Sequence, residues 1–381
     1  MDFRPLDGIR VVDLTTSLAG PGCTSILGAL GADVVKVEPL AGDEARHWGP
    51  PFEDGQGTLF LSANASKRSL AVSLRDEEGS EAVRRVADRA HVVVQSLRPG
   101  LAAARGLDDA ALRARNPELV YVTISAFGRT GPLADRPGYD PLLQAATGII
   151  SVTGERDRAG VRVGVSLIDQ ATGLWAAIAV LGSLHQGGGR SLDVSLYETA
   201  LDLMAYHLRG YRASGDVPGR NGTAFAAIAP YEAFPTADGE MMVVAGNDGL
   251  WQRLRSDLEL PDDERFRTNP GRVEHRAELA ELLGERFRHD TTAVWVDRLS
   301  AAGVPAAPVA DVAGVSVAEQ TVALGMFAGL GRLPLSADGD RVAHRSAPPV
   351  LGADTREVLL EAGYSDAEVD ELSARGIVAT N

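Results

Sequence analysis

Residues 9–38 read IRVVDLTTSLAGPGCTSILGALGADVVKVE, and this stretch decides the fold. Ile9 to Leu14 is a short β-branched run, the signature of a strand. It ends near Ala19-Gly20-Pro21-Gly22, which reads as a turn. Cys23 to Leu30 reads as a compact helix closed by Gly31, and Asp33 to Glu38 as a second strand. Strand, helix and strand in succession imply parallel strands covered on both faces.

Working outward, the pattern repeats. Helices are expected over about Glu77–Arg89 and Asp109–Arg115, with strands at His91–Val94 and Leu119–Ile124. Leu174 to His185 is apolar and Ala-rich, a helix preceded by Asp169 and Thr172 and ended by Gly187-Gly188-Gly189. Leu192–Leu196 reads as a strand, and one helix is expected from about Tyr197 to Arg212. After the polar, Gly-rich link Gly215–Gly222 the pattern becomes a compact α+β region, roughly Ala224 to Val309. A chain of 381 residues exceeds one ordinary core, so two domains are expected.

The composition, 45% hydrophobic with a net charge of −15, fits a soluble globular protein and argues against a nucleic-acid binder. Apolar runs fall short of the ~20 residues that cross a bilayer. Met1-Asp2-Phe3-Arg4-Pro5 shows no basic segment before an apolar one, and the only cysteine is Cys23. Both point to a reducing cytoplasm without disulfides. Between Asn64 and Arg115 ten Lys/Arg stand against seven Asp/Glu, a local basic excess on an acidic chain. By itself that is the pattern of a solvated helical face.

Gly20-Pro21-Gly22-Cys23-Thr24-Ser25 imitates a dinucleotide fingerprint, with Glu38 ending the next strand, but the third glycine is missing. His47, His91, His185, His207, His275, His289 and His344 are scattered, without the spacing a metal needs. No nucleophile elbow and no P-loop occur. Asp169 lies in Val163-Gly164-Val165-Ser166-Leu167-Ile168-Asp169-Gln170-Ala171-Thr172-Gly173, an apolar strand-like run entering a helix. An Asp there suits a helix N-cap. It equally suits a nucleophilic carboxylate kept ionised by the helix dipole. The pattern leaves both readings open.

The segments Leu6–Leu14, Leu18-Ala19-Gly20-Pro21, Leu30–Glu38, Lys67-Arg68-Ser69-Leu70, Leu97-Arg98-Pro99-Gly100 and Asn116–Tyr121 occur in the order seen in one enzyme family. So do Phe127-Gly128-Arg129-Thr130-Gly131-Pro132, Arg136-Pro137-Gly138-Tyr139-Asp140, Val163–Gly173, Ala302–Val309 and Leu351-Gly352. Over almost its whole length the chain resembles the family III CoA transferases (CaiB/BaiF type), which include formyl-CoA and carnitine CoA transferases. The resemblance implies an α/β fold: a large doubly wound parallel-sheet domain built from N- and C-terminal segments plus a smaller α+β domain. On this chain these fall at 1–214, 224–325 and 326–381, the last segment returning to the large domain. It also implies an interlocked homodimer, acyl-CoA and a carboxylic acid as small-molecule partners, and no nucleic acid or membrane. Coenzyme A is then a substrate, with no permanently bound cofactor and no metal.

The family's nucleophile falls on Asp169, which would form an aspartyl anhydride and then an aspartyl-CoA thioester. Its CoA contacts fall on Ser17, Leu18, Ala19, Val72, Arg75, Ser96, Leu97, Arg98, Arg105 and Tyr139, and the arginines give the local basic excess a phosphate to face. Ser96 stands where the formyl-CoA enzymes have Asn, Pro39 where they carry Arg, and Leu18 replaces the polar residue of oxalate-using members, which argues against oxalate as acceptor. Residues 221–231 and Gly246-Asn247-Asp248 are expected to help form the acyl pocket. Two alternatives share the resemblance: an α-methylacyl-CoA racemase or epimerase, whose members carry His where Tyr139 stands, and a noncatalytic CoA-binding subunit.

Overall fold

The structure is a computed structural model that describes residues 3–380; Met1, Asp2 and Asn381, and with them part of the N-terminal segment inspected for a leader, lie outside the described residues. The chain forms two compact units. One comprises Met1–Thr147, Val163–Arg209 and Gly325–Asn381, the other Gly148–Arg162 and Gly210–Leu324.

The first unit is built on a seven-stranded sheet. Strands β1 (Arg10–Leu14), β2 (Asp33–Glu38), β3 (Arg68–Val72), β4 (Val92–Gln95), β5 (Val120–Ser125), β6 (Ser191–Ser195) and β7 (Val378–Ala379) lie in the order β7-β3-β2-β1-β4-β5-β6. All pair in parallel except β7, which joins β3 antiparallel, with Val378 opposite Val72. β2, β3 and β4 are almost wholly buried along their lengths, the pattern of strands covered on both faces. One core joins Val12, Val35, Leu70, Val93 and Tyr121 of the sheet to Ala82, Val83 and Ala87 of helix α2 (Glu77–Ala87). The same core takes Val358, Leu359, Val369 and Leu372 from 355–374, so distant parts of the chain share it.

Helix α1 (Ala19–Ala29) starts four residues before the expected Cys23. Ala19-Gly20-Pro21-Gly22 is its first turn rather than a loop, with Gly22 N–H donating to Leu18 O at 2.8 Å. Pro21 is tolerated there because a first-turn N–H has no intrahelical partner. A Cβ on Gly20 would stand 2.3 Å from the Thr15 side chain, so only glycine lets the strand end and the helix start lie together. The expected helix over Tyr197–Arg212 is two, Leu196–Leu203 and Ala205–Ser214, interrupted at Met204.

The second unit centres on an antiparallel sheet of Tyr231–Pro235, Glu240–Val244 and Ala306–Pro308. Its core gathers Phe234, Met241, Trp251, Leu283, Phe287, Trp295 and Leu299. Within it Asn247 caps the helix Asp248–Asp257 through Leu250 N–H, and Asp248 pairs with the buried Arg272 at 2.7 Å.

Candidate active site

In an open parallel sheet a crevice forms where successive connections turn in opposite directions. The chain lays β1, β2 and β3 outward on one side, then crosses back to place β4, β5 and β6 on the other. The switch therefore falls between the carboxyl ends of β1 and β4. Thr16 N–H donates to Ser96 Oγ at 3.2 Å, and Ser96 N–H to Leu14 O at 3.4 Å. Ser17, Leu18 and Ala19 are thereby brought beside Ser96, Leu97 and Arg98, although some eighty positions separate them in sequence. Arg98 is exposed, and Leu97 N–H is held by Gln95 Oε1 at 2.8 Å.

Asp169 lies on helix α3 (Leu167–His185), which begins seven residues before the expected Leu174. The cause is an outside cap. Asp140, the first residue of the helix Asp140–Ala146 and 1% exposed, accepts from Ile168 N–H at 2.8 Å and Asp169 N–H at 3.4 Å. It thus satisfies first-turn donors that have no intrahelical partner. Its other oxygen accepts from Gln144, whose own oxygen holds Val163 N–H at 2.8 Å. Ser166, not Asp169, occupies the N-cap position, so the reading of Asp169 as a cap is corrected. One turn further on, Gly173 packs on α1 so tightly that a Cβ would lie 2.6 Å from Ala19 O. Asp169 and Gly173 share a face of α3, about 6 Å apart along the axis, so Asp169 lies on the side of α3 that packs on α1.

The electrostatics run against a simple helix-dipole account. Burial, and after it the Asp140 carboxylate, push the Asp169 pKa up from 3.8 to about 7. The expectation that the helix start alone keeps Asp169 ionised is therefore corrected: desolvation and a like charge outweigh the dipole. Beneath the crevice Asp13 is buried. Burial raises its pKa, but Lys67 and Lys36 more than compensate and hold it well below the usual range. Lys67 Nζ donates to Asp13, Pro21 O and Asn64 at 2.8–3.0 Å and is itself drawn down by burial to about 8. Burial pushes the Cys23 thiol up to about 12, an unreactive group.

The other residues singled out from sequence divide. Arg75 and Arg105 meet, Arg105 Nη1 donating to Arg75 O at 3.3 Å, while Arg105 Nε is buried without a hydrogen-bond partner. Val72 is wholly buried in the core, so its side chain offers nothing to a ligand. Tyr139 is 57% exposed and immediately precedes Asp140, which ties it to the start of α3. Pattern reading missed Asp140, Lys36 and Asp43. A signal for Lys36 was present, a charged residue inside the β-branched run of β2. Among the described residues no group of three or more His, Cys, Asp or Glu is placed to hold a metal. At 19 residues and mean hydropathy 1.4, α3 has the length and apolarity of a membrane span, against the sequence expectation, yet Ile168, Thr172, Gly173, Ala176, Ala177 and Val180 are buried inside the protein.

A family model described as CoA-transferase family III matches residues 6–355. Succinyl-CoA:glutarate CoA-transferase of Homo sapiens is 34% identical over 396 residues, covering 99% of this chain and 90% of that one. Succinate–glutarate CoA-transferase of Agrobacterium fabrum is 36% identical, covering 92% of this chain and 90% of its own. A solved CaiB/BaiF family protein from Brucella suis superimposes with a TM-score of 0.85 at 38% identity, covering 95% of this chain and all of that one.

Proposed function

The chain belongs to CoA-transferase family III, and from that premise we propose that it moves CoA from succinyl-CoA to a dicarboxylic acid of glutarate's size, with Asp169 as nucleophile. The substrates are carried over from the names of the human and Agrobacterium relatives. The nucleophile rests on one observation: the Asp169 carboxyl stands at the start of a helix whose next turn packs on Ala19, at the switch-point crevice.

The chemistry follows from a carboxylate in that place. A carboxylate oxygen of Asp169 attacks the thioester carbonyl, the C–S bond breaks, and CoA leaves as thiolate, giving a mixed anhydride. The thiolate then attacks the Asp169 carbonyl carbon, expelling the donor acid and leaving an aspartyl-CoA thioester. The acceptor carboxylate runs both steps in reverse. Splitting one transfer this way is covalent catalysis. Ser17, Leu18, Ala19, Ser96, Leu97 and Arg98 face CoA in this reading, with Arg75 and Arg105 toward its phosphates and Tyr139 beside the acyl end; Val72 contributes through its backbone. We also infer a homodimer, supported by the outward apolar face of α3, where Leu174, Trp175 and Ile178 are each about half exposed.

The test is to incubate the protein with succinyl-CoA and no acceptor, then add hydroxylamine or borohydride. An adduct on the peptide containing Asp169, absent from Asp169→Asn, is the expected result; no adduct under turnover conditions defeats the proposal. A carboxyl titrating near neutrality also suits abstraction of an α-proton, the racemase reading. Uptake of solvent deuterium at Cα of a 2-methylacyl-CoA, without acceptor, would favour that reading instead.

A further inference from the structure

Under the crevice lies a buried ion pair that the proposed chemistry does not use. Lys36 Nζ and Asp43 Oδ2 are 2.8 Å apart, and both side chains are essentially inaccessible. Two of their remaining bonds converge on one turn, while Asp43 Oδ1 also accepts from Ala45 N–H at 3.0 Å and so caps the short helix Glu44–His47. Lys36 donates to Thr15 O at 3.0 Å, and Asp43 Oδ1 accepts from Ser17 N–H at 3.3 Å. Asp13 takes Thr15 N–H at 2.9 Å, and Ser96 takes Thr16 N–H from across the crevice. Asp43 is oriented in turn by Glu38, which accepts from Asp43 N–H at 3.0 Å and is itself held by Arg46 and Ser69 at 2.8 Å.

The gripped turn has an unusual shape. Ser17 sits at φ 71, the left-handed region that a Cβ disfavours. Such a conformation persists only where its surroundings over-determine it. A buried ion pair is a poor source of stability, because desolvation offsets its Coulombic gain. What this pair supplies is the shape of residues 15–17.

We propose that Lys36 and Asp43 are positioning residues for acyl-CoA: they hold Thr15–Ser17 in the left-handed turn that presents the start of α1 to the CoA moiety. The inference rests on the CoA-transfer reading and deepens it, since it assigns donor affinity to two residues that touch no substrate. Asp169 stands on another helix, so the effect falls on KM for the donor and largely spares kcat.

The experiment uses the full chain. Lys36→Met with Asp43→Leu replaces the pair by apolar groups of similar size, which avoids the stranded charge that Asp43→Ala would leave. Affinity for CoA is read by titration calorimetry, and KM and kcat with succinyl-CoA. The expected result is about tenfold weaker CoA binding and a matching rise in KM, with kcat within about twofold. Ser17→Gly alone sets the reference for that residue's own contact with CoA, and in its background the pair exchange should cost only about threefold, because glycine adopts positive φ freely. Wild-type affinity in the apolar-pair variant, or a loss as large in the Ser17→Gly background as in wild type, overturns the positioning role while CoA transfer stands. A wild-type protein that binds no CoA overturns the functional reading and this inference with it.

Discussion

Burial, and after it the Asp140 carboxylate that already takes the first-turn amides of α3, both oppose the charge on Asp169. Since attack needs the carboxylate, kcat/KM for succinyl-CoA should rise with pH and level off above about 7. Asp140→Asn keeps an oxygen for the Ile168 amide but removes the like charge, so the rise should move to lower pH, as a pH–rate series will show. The linkage to stability has the opposite sense. Between the unfolded carboxyl's pKa of about 4 and the folded value, the native chain retains a proton that the unfolded chain has released, so this group's contribution falls as pH rises. Asp169→Asn escapes that loss. Denaturant titration at pH 8 should find it more stable than wild type by roughly 1–3 kcal/mol, after discounting for partial exposure, while transfer is abolished. Asp43 and Asp140 were not legible as site residues because their roles depend on partners more than twenty-five positions away: Ser17 for one, Ile168 and Asp169 for the other.

Between elements, α1 and α3 meet through glycine. Gly173→Ala would push a methyl into Ala19 O, which should cost roughly 1–3 kcal/mol and, by displacing Asp169, also lower kcat/KM. Gly182, on the same helix, has open space where its Cβ would be. Because Gly182 shares the outward face of α3 with Trp175 and Ile178, Gly182→Ala should stabilise by roughly 0.5–1 kcal/mol only where that face stays in water, as thermal melts of a Trp175→Glu, Ile178→Glu background will show. The βαβ order of residues 9–38 was readable because β-branched runs and a small-residue helix alternate plainly. Helix starts were less so. α1 takes in a Gly-Pro-Gly segment that looks like a turn, and α3 is extended backward by the Asp140 carboxylate, which accepts from its first amides and which no local pattern contains. The crevice itself follows from strand order, and strand order is set by packing rather than by any stretch of residues.

At the scale of the whole molecule, the outward side of α3 is the feature most at odds with a solitary soluble chain. Leu174, Trp175 and Ile178 are 47–56% exposed on a helix whose other side is buried. If a second copy covers them, sedimentation equilibrium should report twice the chain mass, and Trp175→Glu with Ile178→Glu should shift the protein to monomer; a wild-type monomer would overturn the homodimer. The edge strand β7 sets a different condition. Val378 and Ala379 complete the sheet against Val72 and Ala71, roughly 300 residues earlier. A ribosome adding about 5–20 residues per second needs roughly 15–60 s to cover that distance. Throughout that interval the outer edge of β3 stays open on the nascent chain. This makes the first unit a late-finishing fold, whose β3 edge is open to edge-to-edge mispairing until residues 378–379 have been made.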